Sequence, residues 1–261
     1  NVYFRGSPGP LLAPANVSPP ELWDALTAGD ALTIPHHTGK FPQPLRWEPH
    51  DSTFRRNFEI YSAHGLSESF DPDHPLAFEQ SDFTSPSSSS HEKQFAHDAW
   101  KHGLKVSTLA ASDDHRSQPG QAHWGITAVR ASEFTRDGIF QAMYDRHTYG
   151  TTGARILLEF TVNDHRMGRQ INVDQTPELR IEAHGTREIE SVELLRYSPT
   201  TGAFKIIRTI HPEGMDFQWS DVDTTLRDDR AIYYVRLQQR GQVRDRISMA
   251  WSSPVWVRVH E

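Results

Sequence analysis

The sequence has 261 residues, with 27 basic, 34 acidic and 15 histidine side chains and no cysteine. Without cysteine the chain forms neither disulfides nor thiolate metal sites, so histidine and carboxylate side chains are its available metal ligands. The net charge of -7 and the lack of a basic, aromatic-rich stripe argue against a nucleic-acid partner. No run approaches the roughly 18 apolar residues that span a bilayer, so no membrane-spanning helix is expected. The compartment is left open between periplasm and cytoplasm.

Three helices are predicted in the first 150 residues. A capping-box pattern at Ser18 begins a helix over residues 20–27. A second helix is expected over residues 91–102, and Thr135 caps a third that ends at Arg146-His147. Because these helices alternate with short strands, the sequence predicts an α/β fold with mainly parallel strands.

Three β-type runs end at or near histidine or carboxylate side chains, and each is closed by a turn that contains glycine. The runs and their side chains are residues 31–35 with His36 and His37, residues 57–62 with Glu59 and His64, and residues 104–111 with Asp113 and His115. In parallel α/β folds the strand ends lie side by side, so we expect these groups to converge on a divalent cation. The alternative for the third run is a turn capped by Asp113 or Asp114, with His115 solvated.

Only about four strands are visible before residue 153, whereas an eight-stranded α/β barrel needs roughly 250 residues. We therefore expect residues 1–153 to form the second half of a barrel, with its open strand edges covered by a further polypeptide segment. The loop-rich stretch Ser67–Ser90 is interpreted either as a lid beside the strand ends or as a disordered surface loop.

From Arg155 onwards the apolar residues alternate with a period of two. Six or seven short strands separated by turn signals are typical of an antiparallel β-sandwich, which we predict for residues 154–261. This region has no catalytic constellation of its own. Its tryptophans, Trp219, Trp251 and Trp256, are expected in the core or an interface, and a sugar-binding platform is the alternative.

Taken together, several of these motifs resemble an uncharacterised bacterial family related to the polymerase-and-histidinol-phosphatase (PHP) domain. The motifs are Ile34–Gly39, Glu59–Gly65, Ser112–His115 with Pro119-Gly120, Thr148–Gly153 and the closing Ala250–Trp256. The resemblance implies a distorted α/β barrel that holds two or three Mn, Zn or Fe ions and hydrolyses phosphoesters. The expected fold is thus the C-terminal half of a PHP-like barrel followed by an antiparallel, immunoglobulin-like β-sandwich. The opening His-x-His pair and bridging glutamate of such domains have no counterpart before His36.

The resemblance also implies roles for individual residues. Asp113, His115 and His36 match metal ligands of the family, and Glu59 and His64 lie at another strand-end motif. His37 and His64 are candidates for a ligand, a group that orients a ligand, or the acid that protonates the leaving group. Arg116 is a candidate contact for a phosphate or carboxylate, and a surface salt bridge is its alternative.

The resulting hypothesis is a metal-dependent phosphoesterase that acts on a small anionic substrate through a metal-activated water. A second hypothesis keeps the metals but changes the bond to a sulfate ester, an amide or a carboxylic ester. A third is a binding or scaffold protein with a degenerate metal site, in which the β-sandwich is the working part. The loops that would select a substrate contain no motif that identifies it.

Overall fold

A computed structural model describes residues 1–6, 9, 17–39, 46–80, 94–116 and 124–259 of the chain. Strands make up 43% and helices 9% of the described residues, and the sheets form no closed barrel. The predicted α/β barrel is therefore wrong. The physical reason lies in the strand pairing: among the described strands only two pairs are parallel, and the others are antiparallel.

The described residues form seventeen strands and three helices. Those of the first 151 residues are β1 (Val2–Phe4), α1 (Pro19–Asp24), β2 (Ala31–Thr33), β3 (Asn57–Ser62), β4 (Gly65–Leu66), α2 (Ala96–Lys101), β5 (Ser107–Ala110), β6 (Ile126–Val129), α3 (Arg136–Tyr144) and β7 (Thr148–Thr151). The rest are β8 (Leu157–Val162), β9 (His165–Arg166), β10 (Gln170–Val173), β11 (Glu178–His184), β12 (Ile189–Ser198), β13 (Ala203–Ile210), β14 (Asp216–Val222), β15 (Arg230–Val243), β16 (Arg246–Ser252) and β17 (Val255–Val259).

Helices α1 and α3 begin where their capping residues predict them. The Ser18 backbone N–H donates to Glu21 Oε2 (2.8 Å) at the start of α1, and the Thr135 hydroxyl accepts from the Gly138 N–H (3.0 Å) at the start of α3. Helix α2 is shorter than expected, and residues 91–93 of that prediction lie outside the described residues. No helix among the described residues is both long and apolar enough to cross a bilayer.

An eight-stranded sheet forms the middle of the molecule. Its main path runs β10-β17-β15-β16-β7-β6, and β12 pairs with both β15 and β13. Strands β6 and β7, which the sequence places in the α/β part, join this sheet because β7 pairs antiparallel with β16. The predicted division of the chain at residue 153 stays a prediction, while the sheet itself extends across that position.

One face of the eight-stranded sheet packs against a four-stranded antiparallel sheet, in the order β14-β11-β8-β9. The alternating apolar residues of β8 and β11 point into the shared core, where Phe160 and Ile181 are buried. Their partners from the eight-stranded sheet include Tyr233, Val235 and Val257. This layer supplies the apolar burial that stabilises the C-terminal half.

The opposite face of the eight-stranded sheet is buried as well. It packs against the three-stranded sheet β4-β3-β5 and α2 through a second apolar cluster. Tyr61 of β3 stacks on Trp251 of β16 with ring centroids 5.8 Å apart, and Trp100 of α2 lies 5.1 Å from Tyr234 of β15. The molecule is thus layered, with the eight-stranded sheet between two smaller ones.

A buried charge network joins the eight-stranded sheet to the segment after β4. The Glu68 carboxylate accepts from the Tyr234 hydroxyl (2.5 Å) and the Trp251 indole N–H (3.1 Å), and Arg236 donates to it from 3.3 Å. Burial alone would raise the pKa of Glu68, but the charge of Arg236, followed by that of His97, holds it below its usual value. Glu68 lies in the stretch Ser67–Ser90, which the sequence predicts as a lid or a disordered loop. Residues 81–90 of this stretch are outside the described residues. At Glu68 the stretch is buried and anchored to the eight-stranded sheet.

Replacing Glu68 tests how much this network stabilises the fold. We expect Glu68→Ala to lower the free energy of unfolding by about 3–5 kcal/mol, because it removes one of the two carboxylates paired with the partly buried Arg236 and leaves the buried Trp251 indole N–H without an acceptor. The matched control is Glu188→Ala, whose exposed ion pair with Arg240 should contribute less than about 1 kcal/mol. Urea unfolding at pH 7 measures both, and equal losses would contradict the assignment.

His97 gives the fold a pH dependence of defined sign. Its Nε2 lies 2.7 Å from the Tyr234 hydroxyl and its ring stacks on Phe204, with centroids 4.1 Å apart. Burial lowers the pKa of His97 from 6.5 to about 4. As the pH falls, His97 therefore becomes protonated near pH 6.5 in the unfolded chain but only near pH 4 in the folded protein.

Stability should consequently be complete above pH 6.5 and fall as the pH drops towards 4, by at most about 3 kcal/mol from this group. We expect His97→Phe, which keeps an aromatic ring on Phe204, to lose this part of the pH dependence. Urea midpoints of both proteins between pH 4 and 8 measure the difference. Parallel curves for the two proteins would refute the role of His97.

Candidate metal centre

Three segments meet at one edge of the three-stranded sheet. Strands β3 and β5 are parallel, with Glu59 opposite Leu109, so their carboxyl ends lie side by side. The Glu59 N–H also donates to the Pro35 carbonyl (3.2 Å), which places the residues after β2 beside β3. The turn after β3 brings a further residue, His64, to the same edge.

Two histidines have the same arrangement of carboxylate neighbours. His36 Nδ1 lies 2.8 Å from Glu59 Oε2, and His64 Nδ1 lies 2.6 Å from Glu79 Oε1. The Nε2 atoms of both rings face one carboxylate: His36 Nε2 is 3.0 Å from Asp113 Oδ1, and His64 Nε2 is 2.6 Å from Asp113 Oδ2. Each imidazole is thus fixed through one ring nitrogen and directs the other at Asp113.

His37 completes a group of three histidines. His36, His37 and His64 each have a ring nitrogen that lies within 4.8 Å of the ring nitrogens of the other two. The His37 ring centroid is 3.9 Å from that of His36 and 4.7 Å from that of His64. Its Nδ1 is buried and has no hydrogen-bond partner among the residues that the structure describes. A buried nitrogen lone pair or N–H without a partner is the kind of atom that a ligand would satisfy.

The backbone around the group adopts conformations that few residues tolerate. His37 has φ +35 and Asp113 has φ +51, a left-handed region that histidine and aspartate enter more readily than most residues. Gly65, directly after His64, has φ +108, and a Cβ there would lie 2.5 Å from the Leu76 carbonyl oxygen. Gly65 therefore permits the sharp turn that presents His64.

The electrostatics of the group favour the ionised form of Asp113, the protonated form of His36 and the neutral form of His37. Burial alone would raise the pKa of Asp113, but the adjacent charges of His36, His64 and His115 lower it below its usual value. For His36, burial acts to lower the pKa, and Glu59 followed by Asp113 raises it overall. Burial, together with the charge of His36, lowers the pKa of His37. A neutral imidazole is the form that binds metals.

Two predicted residues lie at the margin of this group. His115 has a side chain that is 87% exposed, and its Nε2 is 3.2 Å from Asp113 Oδ1, but it is not among the three clustered histidines. The Arg116 guanidinium forms an ion pair with Asp114 (Nε to Oδ1, 3.0 Å), as in the salt-bridge alternative. The roles of both stay predictions. Pro119-Gly120, which closes the motif, lies outside the described residues.

Two contributors to the centre were missed in the sequence. Glu79, which holds His64, lies in a stretch with no regular pattern. Arg246 of β16 is far away in the chain: its guanidinium donates to the Tyr61 hydroxyl (2.9 Å) and to the carbonyls of Ser62 (3.2 Å) and Ala63 (3.0 Å). Arg246 therefore fixes, from the eight-stranded sheet, the turn that carries His64.

Removing Arg246 tests this positioning. We expect Arg246→Ala to weaken Zn²⁺ binding by about tenfold, because outer residues that orient a histidine ligand typically change metal affinity by that order. Competition with a chromophoric chelator measures the affinity. Arg246→Lys should restore part of it, and Arg240→Ala, on the same hairpin, is the control. Wild-type affinity in Arg246→Ala would rule out the role.

Comparisons with known proteins identify relatives but no activity. Residues 65–177 match a family model described as a protein of unknown function (DUF3604). Uncharacterised proteins of Chlamydia trachomatis and Chlamydia muridarum are 29% and 28% identical over 91% of this chain. The chain spans 40% of the length of each of these relatives. The matches support a bacterial family of unknown function, and the relationship to PHP domains stays a prediction.

Proposed function

We propose that this chain carries the metal centre of a hydrolase, with His36, His37 and His64 as ligands of a divalent cation. The observation that carries the proposal is the cluster of three imidazoles, in which the His37 Nδ1 is buried without a partner. The donor set fits such an ion, because imidazole nitrogens beside carboxylates suit Zn, Mn and Fe. Two or three ions, as the motif resemblance implies, would also engage Glu59 and Asp113.

The surrounding carboxylates support this proposal. Histidine ligands in metal sites generally donate their second ring nitrogen to a carboxylate or carbonyl, which fixes the ring and its tautomer. Glu59 and Glu79 occupy that position for His36 and His64. Asp113, at 2.6–3.0 Å from both Nε2 atoms, adds the negative charge that attracts a cation.

A divalent cation bound there would supply positive charge that lowers the pKa of water and stabilises an anionic transition state. The residues of this chain would hold that charge in place and orient the imidazoles, and binding of the cation would displace the proton that Glu59 and Asp113 favour on His36. Contact of Arg116 with a phosphate would require it to leave Asp114, so its role is proposed only for the substrate-bound protein. His37 and His64 remain the proposed candidates for proton transfer to the leaving group.

Phosphoesters are the substrate class that the motif resemblance favours, and a small anionic substrate would bind to the metal ions of the loaded centre. Sulfate esters, amides and carboxylic esters are the alternative bonds. A polypeptide segment that completes the centre stays part of the proposal, because the chain spans only part of its relatives.

Metal content tests the proposal directly. We expect the purified chain to retain at least about one Zn, Mn or Fe ion after desalting, measured by elemental analysis, because clustered imidazoles beside carboxylates bind these ions tightly. His64→Ala should lose most of this metal. His184→Ala is the matched control, since His184 pairs with Asp216 and Glu182 on the exposed face of β11.

Activity separates the remaining alternatives. Phosphomonoesters, phosphodiesters and sulfate esters are tested with the metal-loaded and the chelated chain, and the full-length protein is assayed in parallel. Metal-dependent turnover of a phosphoester that is lost in His64→Ala supports the phosphoesterase. Turnover of sulfate esters alone would change the bond, and the absence of bound metal in both proteins would leave a non-catalytic scaffold and overturn the proposal.

A further inference from the structure

A cleft lined by positively charged side chains lies at the N-terminal end of β5, whereas the candidate metal centre lies beyond its C-terminal end. The cleft has a volume of about 140 Å³ and opens between the α2–β5 connection and strands β15 and β17. Its lining includes four cationic side chains, Lys101, Lys105, Arg230 and Arg258, and no carboxylate among the described residues. Lys105 precedes β5, whereas Asp113 follows it, so the cleft is distinct from the candidate metal centre.

Most of these cations have no internal charge partner. Lys101 forms an ion pair with Asp98 (3.1 Å), but Lys105, Arg230 and Arg258 make no side-chain ion pair or hydrogen bond with any described residue. This local surplus of positive charge contrasts with the net charge of -7 of the whole chain. Clefts lined by charges of one sign concentrate counter-ions from solution.

The cations are also close enough to affect one another. Burial lowers the pKa of Lys105, and the charges of Arg258 and Arg146 lower it further. Arg146 lies over the Trp256 ring, with its guanidinium carbon 5.9 Å from the ring centroid. Like charges placed together repel unless an anion lies between them.

A buried donor provides an independent observation. Trp256 lines the cleft and is only 6% exposed, and its indole Nε1 has no hydrogen-bond partner among the described residues. Buried indole N–H groups usually have an acceptor. The residues that line the cleft therefore include cations without a charge partner and an indole whose N–H has no described acceptor, and an anion that contacts both would satisfy them.

We propose that this cleft binds a tetrahedral oxyanion, the phosphate or sulfate group of a small ligand or the free ion, through Lys105, Arg258 and the Trp256 indole. Lysine and arginine form short, charge-assisted hydrogen bonds to such oxygens. The volume admits an anionic head group, whereas pockets for whole drug-sized ligands usually exceed about 300 Å³. The site requires no metal and is independent of the proposed hydrolase function.

NMR titration of the chain with inorganic phosphate, in the presence of a metal chelator, tests this proposal. The Trp256 indole resonance is assigned by its loss in Trp256→Phe and followed as phosphate is added. We expect a saturable shift of this resonance with phosphate and with sulfate, and none with chloride at the same ionic strength. If a phosphate monoester binds as tightly as inorganic phosphate, the cleft recognises the phosphate group of a ligand; if only inorganic phosphate and sulfate bind, it recognises the free ion.

Charge variants provide the matched comparison. Lys105→Gln with Arg258→Gln should weaken phosphate binding by at least about tenfold, the effect of removing charged hydrogen bonds. Arg208→Gln with Arg240→Gln removes the same charge from arginines paired elsewhere and should leave the affinity unchanged. Absence of a saturable shift in the wild-type chain, an equal response to chloride, or equal weakening by both double variants would overturn the proposal.

Discussion

The burial of both faces of the eight-stranded sheet is the constraint on which the rest of this structure depends. Neighbouring residues of one strand serve different cores: Tyr233 packs towards the four-stranded sheet, while Tyr234 packs towards the three-stranded sheet and α2. Trp251 and Ala250 divide in the same way. Because a sheet with two apolar faces must be covered on both, the N-terminal segments are required to complete the core of the C-terminal strands.

This layering also explains why the candidate metal centre depends on distant parts of the chain. The three-stranded sheet that carries Glu59 is small, because β4 has only two residues, and a pair of strands is marginal without a layer packed against it. The eight-stranded sheet supports it through the stack of Tyr61 on Trp251, through the Glu68 network and through Arg246. The β-rich half is therefore part of the scaffold of the centre, although none of its residues lies among the three clustered histidines.

The parts of the fold that the sequence predicts well are those governed by local interactions. Caps at Ser18 and Thr135, and the period-two strands after residue 155, depend on residues a few positions apart. The pairing of β7 with β16 joins residues about a hundred positions apart, and nothing in the local pattern of β6 or β7 distinguishes a parallel barrel strand from an antiparallel one. The barrel was wrong for that reason. In the centre, His36, His64 and Asp113 follow recognisable strand ends and Glu59 lies within a recognisable strand, whereas Glu79 and Arg246 act through contacts that only the tertiary structure creates.

The double burial of the central strands has a consequence for how this chain can change during evolution. In β15, β16 and β17 successive side chains belong to different cores. Deletion of one residue from β15 would therefore exchange the faces on which Tyr233 and Tyr234 lie, and deletion of one residue from β16 would do the same to Ala250 and Trp251. In β16, a small residue would then enter a space shaped for an indole on one face, and an indole would enter a space shaped for a small residue on the other. Insertions and deletions should therefore be confined to the connecting loops, and the lengths of these three strands should be a fixed signature among true relatives.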